Sequence, residues 1–253
     1  MQEVVRHRRE FLTRAAAFGS LLLGPKLGHA DDFPSKPIRF VAGYSAGGTS
    51  DLIARAMAPK LSSALNQSVF VENRTGANGI VAAEYVSRAP ADGHTIMIAS
   101  SGQAINSALR TDLKYHGAND FTPITLVGTT VMVVTLSPNA KFGSLAEMLA
   151  FAKKNPGHVT YGSGGIGSSN HLAGAMLASM AGVEFTHVPY AGDSQIMSAL
   201  LANDITMSLS GTPAALPFIR SGKLRALAQT GAQRSGLLPP DLPLVSDTVP
   251  GFA

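Results

Sequence analysis

Short apolar runs alternate along the chain with longer segments in which apolar residues recur every three or four positions. The short runs predict buried strands, and the longer segments predict amphipathic helices. The predicted strands are 38–43, 68–72, 95–100, 121–127, 131–136, 158–161, 184–188, 205–210 and 224–229. The predicted helices are 49–65, 78–88, 144–154, 168–181, 193–202 and 213–221. Strands and helices that alternate at this spacing predict an α/β fold with mainly parallel sheets, in which ligands bind beyond the carboxyl ends of the strands.

A weak internal repeat indicates two α/β lobes. The octet SDLIARAM at 50–57 aligns with SNHLAGAM at 169–176, and each octet opens a predicted helix after a strand and a loop rich in Gly and Ser. The joint at 128–130 lies between two predicted strands, and we place the boundary between the lobes there. The prediction is therefore lobe 1 at 31–128 and lobe 2 at 129–225.

The first 30 residues have the pattern of an export signal. They carry five Lys or Arg against two Glu, followed by an apolar stretch at 15–23 and the small residues Gly28 and Ala30. This pattern predicts a signal peptide at 1–30, cleaved after Ala30, and a periplasmic mature protein. The segment RREFL at 8–12 resembles the twin-arginine signature, and an ordinary Sec signal with adjacent arginines is the alternative.

The composition of the rest of the chain excludes several classes of function. Residues 31–253 hold 15 Lys or Arg against 14 Asp or Glu, so the basic balance belongs largely to the N-terminus and does not support nucleic-acid binding. The chain has no cysteine, which excludes disulfides and thiolate metal sites. The histidines are scattered, and no later apolar segment approaches the roughly 20 residues of a membrane span. We therefore expect no metal, no cofactor and no direct insertion into a membrane.

The loop at 43–50, GYSAGGTS, is compatible with two functions. Residues 43–47 have the letters of the G-x-S-x-G nucleophile elbow, which would make Ser45 the nucleophile of a secreted serine hydrolase. This loop follows the first strand of the mature chain, whereas a hydrolase elbow needs earlier strands and an earlier oxyanion loop. The other function is an anion cradle made of glycine backbone, hydroxyl groups and the free N–H groups of a helix N-terminus.

The loop at 161–174, YGSGGIGSSNHLAG, also lies between a strand and a helix. Its glycines at 162, 164 and 167 match the dinucleotide fingerprint G-x-G-x-x-G, so a periplasmic NAD(P) oxidoreductase is a further alternative. Glu184 lies at the start of the next predicted strand, whereas a ribose-binding acid should lie at its end. Neither Gly-rich loop contains Lys or Arg, which excludes the G-x-x-x-x-G-K-[ST] phosphate loop and favours a small carboxylate held by amides and hydroxyls.

Two further strand-end loops, 187–195 and 99–106, add potential donors. The polar residues at the helix starts could instead be plain helix caps, and for Asp51 we favour that interpretation. The predicted ligand-binding residues are Tyr44, Ser45, Ala46, Gly47, Gly48, Thr49, Ser50, Ser101, Ser163, Gly164, Gly165, Gly167, Ser168, Ser169, Tyr190 and Gly192.

Taken together, these segments resemble the Bug family, the extracytoplasmic solute receptors of tripartite tricarboxylate transporters. The resemblance rests on five segments that occur in this order from residue 33 onward: FPSKPIRFVAGYSAGGTSDLIARAMAPKLS, VENRTGANGIVAAEYVSRAPADGHTIMIAS, NDFTPITLVG, VTYGSGGIGSSNHLAGAML and HVPYAGDSQIMSALLANDI. It implies a periplasmic-binding-protein-like fold, with two α/β lobes around a ligand cleft. It also implies a protein that is not an enzyme and that captures a small organic anion, a carboxylate, for membrane transporter subunits. We expect it to act as a monomer.

The resemblance further implies which loops hold the ligand, namely 44–50 and 163–169, with 190–194 nearby. Members of the family usually continue for several tens of residues past the segment LPLVSDTVPGF, and those residues return to the first lobe. This sequence stops at Ala253. We therefore expect 226–253 to be a return segment to lobe 1 that is apparently incomplete.

Overall fold

Two β-sheets organise the computed structural model of the chain, which describes residues 33–117 and 119–252. Both sheets belong to one compact unit that begins at Lys36. The predicted signal peptide lies outside the described residues. Within the described ranges, none of the helices combines the length and the apolar character that a membrane crossing requires.

The first sheet has three parallel strands in the order β2-β1-β3. The strands are β1 (Ile38–Ala42), β2 (Val69–Asn73) and β3 (Thr95–Ile98). The helices of this part are α1 (Thr49–Leu65), α2 (Ile80–Ser87), which follows a 3-10 turn (Ala77–Gly79), and α3 (Ser101–Leu109). We call this sheet and its helices lobe 1.

The second sheet has five strands in the order β6-β5-β7-β4-β8. The strands are β4 (Met132–Leu136), β5 (Val159–Ser163), β6 (Phe185–Pro189), β7 (Met207–Gly211) and β8 (Arg225–Gln229). The helices are α4 (Leu145–Lys154), α5 (Ser169–Ala181), α6 (Asp193–Ala202) and α7 (Thr212–Arg220). Strand β5 is parallel to β6 and β7, whereas β4 is antiparallel to β7 and β8. The predicted α/β class with mainly parallel sheets is confirmed, and we call this second sheet and its helices lobe 2.

Both lobes use the same local strand order. In β2-β1-β3 and in β6-β5-β7, the first strand lies between the second and the third. Helix α1 follows β1 and helix α5 follows β5, and the two octets of the internal repeat lie in these helices. The sequence repeat therefore coincides with a structural repeat of strand, loop and helix.

The largest core cluster lies on the second sheet. Leu136, Met207 and Leu209 from the strands pack with Met148 and Leu177 from the helices, and all five are fully buried. Burial of a side chain of this size contributes roughly 1.5–3 kcal/mol. This cluster is the main stabilising element of lobe 2.

The C-terminal residues pack on lobe 2. Strand β8 pairs with β4, and Val245, Val249 and Phe252 belong to the same core cluster. This differs from the expected return of 226–253 to lobe 1. The physical reason is that β8 completes the hydrogen bonding of β4, and the three apolar side chains are then buried on the same sheet.

Two other segments differ from the predicted elements. Residues 121–127, predicted as a strand, form no strand in the structure, and the side chains of Ile124 and Leu126 are 77% and 79% exposed. An apolar run becomes a strand only where another strand pairs with it. Conversely, α3 was not assigned from the pattern. Its N-cap is Ser100, whose hydroxyl accepts a hydrogen bond from the Gly102 amide.

Candidate functional site

Loops at the carboxyl ends of strands from both lobes meet around a cavity of about 270 Å³. The loops after β1, β2, β5 and β6 contribute to it, as expected for sheets with parallel strands. The lining residues are Gly43, Tyr44, Gly76, Ala77, Asn78, Gly79, Arg110, Gly164, Gly165, Ile166, Pro189, Tyr190 and Ala191. Four of them belong to the predicted ligand-binding set.

A larger cavity of about 840 Å³ lies within lobe 1, beside β1 and α2, and contains none of the predicted residues. Its charged groups already have partners. Arg39 pairs with Glu72, and the guanidinium of Arg74 lies 3.5 Å from the ring centre of Tyr85. We therefore take the smaller cavity between the lobes as the candidate site.

The carboxylate of Asp51 stabilises the β1–α1 loop through hydrogen bonds. Its carboxylate accepts hydrogen bonds from the Gly47 amide at 2.8 Å, from Asn73 Nδ2 at 2.9 Å and from Arg55 Nε at 2.9 Å. Burial alone would raise the pKa of Asp51, but the hydrogen bonds that it accepts outweigh burial and lower the pKa. Asp51 is therefore a structural carboxylate of the first turn of α1, although the N-cap itself is Gly48.

Asn170 holds the β5–α5 loop in a comparable way. Its side-chain oxygen accepts hydrogen bonds from the Gly164 amide at 3.0 Å and from the Ser168 hydroxyl at 2.7 Å. Gly165 and Gly167 have φ angles of +109° and +81°, which residues with a Cβ rarely adopt. The turn itself therefore accounts for these glycines without a dinucleotide.

Two histidines lie behind this second loop. His187 Nε2 lies 2.5 Å from Ser163 Oγ, and His171 Nδ1 accepts a hydrogen bond from the Gly167 amide at 3.3 Å. The two imidazole rings are 4.4 Å apart, and both lie beside the ring of Tyr161. Burial lowers the pKa of both histidines, and the nearby His171 lowers the pKa of His187 further. The pair that supports the loop at neutral pH is therefore uncharged.

Serine pairs join the two lobes beside the cavity. Ser45 Oγ lies 2.7 Å from Ser194 Oγ, and Ser101 Oγ lies 2.5 Å from Ser169 Oγ. Gly192 has a φ of +147°, and a Cβ at this position would lie 2.6 Å from Ser45 Oγ. Only glycine allows the two loops to approach so closely.

Asp193 of lobe 2 lies at the N-terminus of helix α1 in lobe 1. Its Oδ2 accepts hydrogen bonds from the Thr49 hydroxyl at 2.6 Å and from the Thr49 amide at 3.3 Å, and its Oδ1 accepts one from Asn170 Nδ2 at 3.3 Å. Burial raises the pKa of Asp193, and the bonds from Thr49 oppose that shift. A helix N-terminus favours a carboxylate. The anion position predicted at the start of α1 is therefore taken by a side chain of the other lobe.

The predicted ligand-binding residues fall into three groups. Those on the cavity wall are Tyr44, Gly164, Gly165 and Tyr190. Those at the contact between the lobes are Ser45, Thr49, Ser101, Ser169 and Gly192. Those within the loops and first helical turns are Ala46, Gly47, Gly48, Ser50, Ser163, Gly167 and Ser168.

Two tyrosines supply polar groups to the cavity wall. The Tyr44 hydroxyl donates to Asn78 Oδ1 at 2.7 Å and accepts from Ser100 Oγ at 3.3 Å. Burial raises the pKa of Tyr44 and of Tyr190. Both phenols therefore stay protonated at neutral pH, and the single hydroxyl hydrogen of Tyr44 is already donated to Asn78.

The turn at 76–79 was not singled out from the sequence. All four residues have positive φ, and two of them, Ala77 at +46° and Asn78 at +56°, are not glycine. Non-glycine residues in this region are strained and are concentrated at ligand sites. The Asn-Gly pair at 78–79 is a turn signal that could have located it, but the pattern there was interpreted as a helix start.

Arg110 was also missed. It follows the last residue of α3 and lines the cavity. A single arginine after a helix carries no sequence signal that separates it from the exposed arginines elsewhere.

The structure gives neither Ser45, the candidate from the sequence, nor Ser163 the geometry of a nucleophile. In the described part of the chain, the partner of the Ser45 hydroxyl is Ser194, and no histidine contacts it. Ser163 does contact His187 but is fully buried. A serine nucleophile needs both an adjacent base and access to substrate. The described residues also contain no cluster of three or more side chains suited to a metal ion.

Two α/β lobes that meet around a cavity at their strand ends define a protein of the periplasmic-binding-protein type. Solved structures with this architecture match the chain closely. The structure of R. palustris Rpa4515 with adipate has a TM-score of 0.84 and 32% identity, covering 87% of this chain and 74% of that one. The periplasmic binding protein BugD has a TM-score of 0.83 and 31% identity over the same shares. MatC from Rhodopseudomonas palustris with bound malate has a TM-score of 0.80 and 27% identity, covering 87% and 75%.

The family described as tripartite tricarboxylate transporter family receptor matches residues 53–252. A UPF0065 protein from the gbd 5′ region of Cupriavidus necator is 36% identical over 92% of this chain and 72% of its own length. BugT of Bordetella pertussis is 32% identical over 83% of this chain and 65% of its own length. The chain therefore belongs to the tripartite tricarboxylate transporter receptor family, as its resemblance to the Bug proteins implied. It spans about two thirds of the length of the curated relatives that it matches.

Proposed function

We propose that this chain is a periplasmic solute-binding protein without catalytic activity. It captures a small organic anion, a carboxylate, between its two lobes and delivers it to the membrane subunits of a tripartite transporter. The observation that carries this proposal is the cavity of about 270 Å³ at the meeting of the strand-end loops, since none of its lining residues is acidic. A carboxylate there meets glycine-rich backbone and the protonated phenol of Tyr190, and Tyr44 fixes the turn at 76–79 on the wall through its hydrogen bond to Asn78.

The physical setting favours an anion. Partial enclosure lowers the effective dielectric constant, so hydrogen bonds to a charged group are stronger there than in water. The volume lies just under the range of about 300–1,000 Å³ that is typical of pockets for drug-sized ligands, which points to a smaller molecule.

Family membership and two solved structures support the same ligand class. Rpa4515 was solved with adipate and MatC with malate, and both ligands are carboxylates. The hydrolase and oxidoreductase alternatives have no comparable support. A dinucleotide is larger than a drug-sized ligand and exceeds the cavity.

A thermal-shift screen with mono-, di- and tricarboxylates tests the proposal. A ligand that binds only the folded state raises the free energy of unfolding by RT ln(1 + [L]/Kd), so at least one carboxylate should raise the Tm. Tyr44→Phe should reduce that rise because it removes the hydrogen bond to Asn78 that fixes the turn at 76–79 on the cavity wall. Tyr115→Phe is the matched control, since the buried Tyr115 hydroxyl has no hydrogen-bond partner among the described residues. A flat response from a protein with a folded circular-dichroism spectrum would reject the proposal.

The export route is a separate proposal. The segment at 8–12 supports twin-arginine export, and the small residues Gly28 and Ala30 support cleavage after Ala30. Substituting Lys for Arg8 and Arg9 together keeps the charge and should leave the protein in the cytoplasm, whereas Arg14→Lys should not. Normal periplasmic recovery of the double variant would indicate a Sec signal instead, and N-terminal sequencing would locate the cleavage site. We also propose a monomer, which light scattering of the purified protein would measure.

A further inference from the structure

The two lobes contact each other directly at the carboxyl ends of three strands of lobe 2, namely β5, β6 and β7. We propose that these contacts, made by Ser45, Thr49 and Ser101 of lobe 1, form a latch that keeps the lobes closed in the free protein. The closed arrangement is then the major state, and ligand enters through a minor open state. The inference goes beyond the proposed function, and only its kinetic part rests on that function.

The charged contact of the latch joins Asp193 to Thr49. Oδ2 of Asp193 accepts from the Thr49 hydroxyl at 2.6 Å and from the Thr49 amide at 3.3 Å. Asn170 of the same lobe donates to Oδ1 at 3.3 Å and so helps to orient the carboxylate. Hydrogen bonds to a charged group are roughly twice as strong as bonds between neutral groups, and the N-terminus of α1 favours the negative charge. We therefore expect this contact to contribute most to the latch.

Neutral hydrogen bonds add to this charged contact. The Ser45 amide donates to the Ala191 carbonyl at 3.3 Å, and the hydroxyl oxygens of Ser45 and Ser194 are 2.7 Å apart. The hydroxyl oxygens of Ser101 and Ser169 are 2.5 Å apart. Each neutral bond contributes little by itself, because water replaces it when the lobes separate. Together these bonds fix the orientation in which the two lobes meet.

Gly211, the last residue of β7, shows how closely the lobes approach each other. A Cβ at this position would lie 2.3 Å from Oγ1 of Thr49 and 3.3 Å from both Cβ and Cγ2 of Thr49. The φ of −58° and ψ of 135° at Gly211 are backbone angles that residues with a Cβ readily adopt. The backbone therefore does not require glycine here. The requirement comes from Thr49 of lobe 1, and it holds only while the lobes are closed.

The latch predicts a particular effect on binding kinetics. Its contacts join protein groups to each other, so they stabilise the closed state equally with and without ligand. Weakening the latch then raises the rates of ligand entry and exit by the same factor and leaves Kd nearly unchanged, as long as the closed state still dominates. If the free protein were mostly open, the same change would weaken only the liganded closed state, and Kd would rise.

Double electron–electron resonance without added ligand tests the latch, with spin labels on Lys60→Cys in lobe 1 and Lys153→Cys in lobe 2. Gly211→Ala places a methyl group against Thr49 and should shift the main distance to longer values. Gly236→Ala is the matched control, because a Cβ there has no heavy atom within 4 Å, and it should keep the wild-type distribution. Superimposable distributions for the wild type and Gly211→Ala would overturn the latch. If Gly211→Ala does not fold, Asp193→Ala in the same label pair decides in its place.

Stopped-flow kinetics with adipate and with malate test the kinetic part, monitored by tyrosine fluorescence because the chain has no tryptophan. Asp193→Ala should raise the association and dissociation rates together by about tenfold, the size expected for a lost hydrogen bond to a charged group, and should keep Kd within about threefold. A tenfold change in Kd at an unchanged association rate would show that the free protein is mostly open and would overturn the latch. If the folded wild type binds no carboxylate, the proposed function fails, and the resonance measurement alone decides the latch.

Discussion

The carboxylate of Asp193 lies between the two lobes, and Thr49 supplies two of its three hydrogen bonds. Burial raises the pKa of this carboxyl, which shows that the surroundings disfavour its charge. The hydroxyl and amide of Thr49, at the positive end of helix α1, oppose that penalty. The contact is thus stable as long as these donors are present.

Thr49→Val should therefore destabilise the protein. Valine keeps the shape of threonine but leaves the carboxylate without its hydroxyl donor at 2.6 Å, so we expect the free energy of unfolding to fall by about 1–3 kcal/mol. Urea denaturation, monitored by circular dichroism, measures this free energy of unfolding. Thr186→Val is the control, since its hydroxyl bonds to the Gly157 carbonyl at an exposed position and its loss should stay within about 0.5 kcal/mol. Equal losses in both variants would contradict this account of Asp193.

The sequence predicted some hydrogen-bond donors at the site but not the side chains with which they pair. The Gly, Ser and Thr content of the loop at 43–50 identified Ser45 and Thr49 as donors from the sequence alone. Their partners, Ser194 and Asp193, lie 149 and 144 residues further along the chain. Which side chains meet across the cavity depends on how the lobes pack, and no local pattern contains that information.

Among the secondary-structure elements, the β5–α5 loop depends on two imidazoles. His187 contacts Ser163, His171 accepts from the Gly167 amide, and both have a lowered pKa in the folded protein. Only a neutral His171 can accept at Nδ1. Protonation of this pair thus removes support from one wall of the site.

The histidine pair should make stability depend on pH. In the unfolded chain these histidines titrate near 6.5 and in the folded chain below it, so the unfolded state binds more protons as the pH falls below about 6.5, and stability decreases. The raised pKa of Asp193 has the opposite sign and adds stability at more acidic pH. The two effects must therefore be separated by comparing variants.

The variant with Gln at both 171 and 187 should lose less stability than the wild type between about pH 7.5 and about pH 5, measured by urea denaturation at each pH. His158→Gln, at an exposed position, should follow the wild-type curve. Parallel curves for the wild type and the double variant would show that the pair does not couple to folding.

The elements that the sequence predicted well are those with a strong local pattern. Helix α1 has the predicted bounds, and the strand-loop-helix repeat placed both Gly-rich loops. The strand predicted at 121–127 was wrong, because the apolar residues of this segment have no strand to pair with. Helix α3 escaped prediction because its start depends on a single cap at Ser100, and its missing assignment also hid Arg110.

At the scale of the whole molecule, the two lobes touch through hydrogen bonds on the rim of the candidate site. We expect the two lobes to close on a ligand by hinge motion. The chain has no native cysteine, so the substitutions Lys60→Cys and Lys153→Cys direct two spin labels to chosen positions. With labels at Lys60 in lobe 1 and Lys153 in lobe 2, both exposed, a ligand should narrow the distance distribution between the lobes.

In the same label pair, Asp193→Ala should broaden the distribution because it removes the Thr49 contact. Double electron–electron resonance measures both distributions. A distribution that neither ligand nor substitution changes would contradict closure through this contact.

The position of the C-terminal residues depends on long-range packing that the sequence pattern does not specify. The family resemblance placed 226–253 on lobe 1, whereas β8 and the side chains of Val245, Val249 and Phe252 pack on lobe 2. Apolar residues in a short C-terminal segment are compatible with either sheet. Only the unpaired edge of β4, a tertiary feature, selects between them.

Calorimetric titration of the purified protein with carboxylates tests the central claim most directly. The account predicts saturable binding of one small carboxylate per chain, with affinity reduced by Tyr44→Phe and retained by Tyr115→Phe. A folded protein that releases or absorbs no binding heat with any mono-, di- or tricarboxylate at two temperatures would contradict the claim that this chain is a carboxylate receptor.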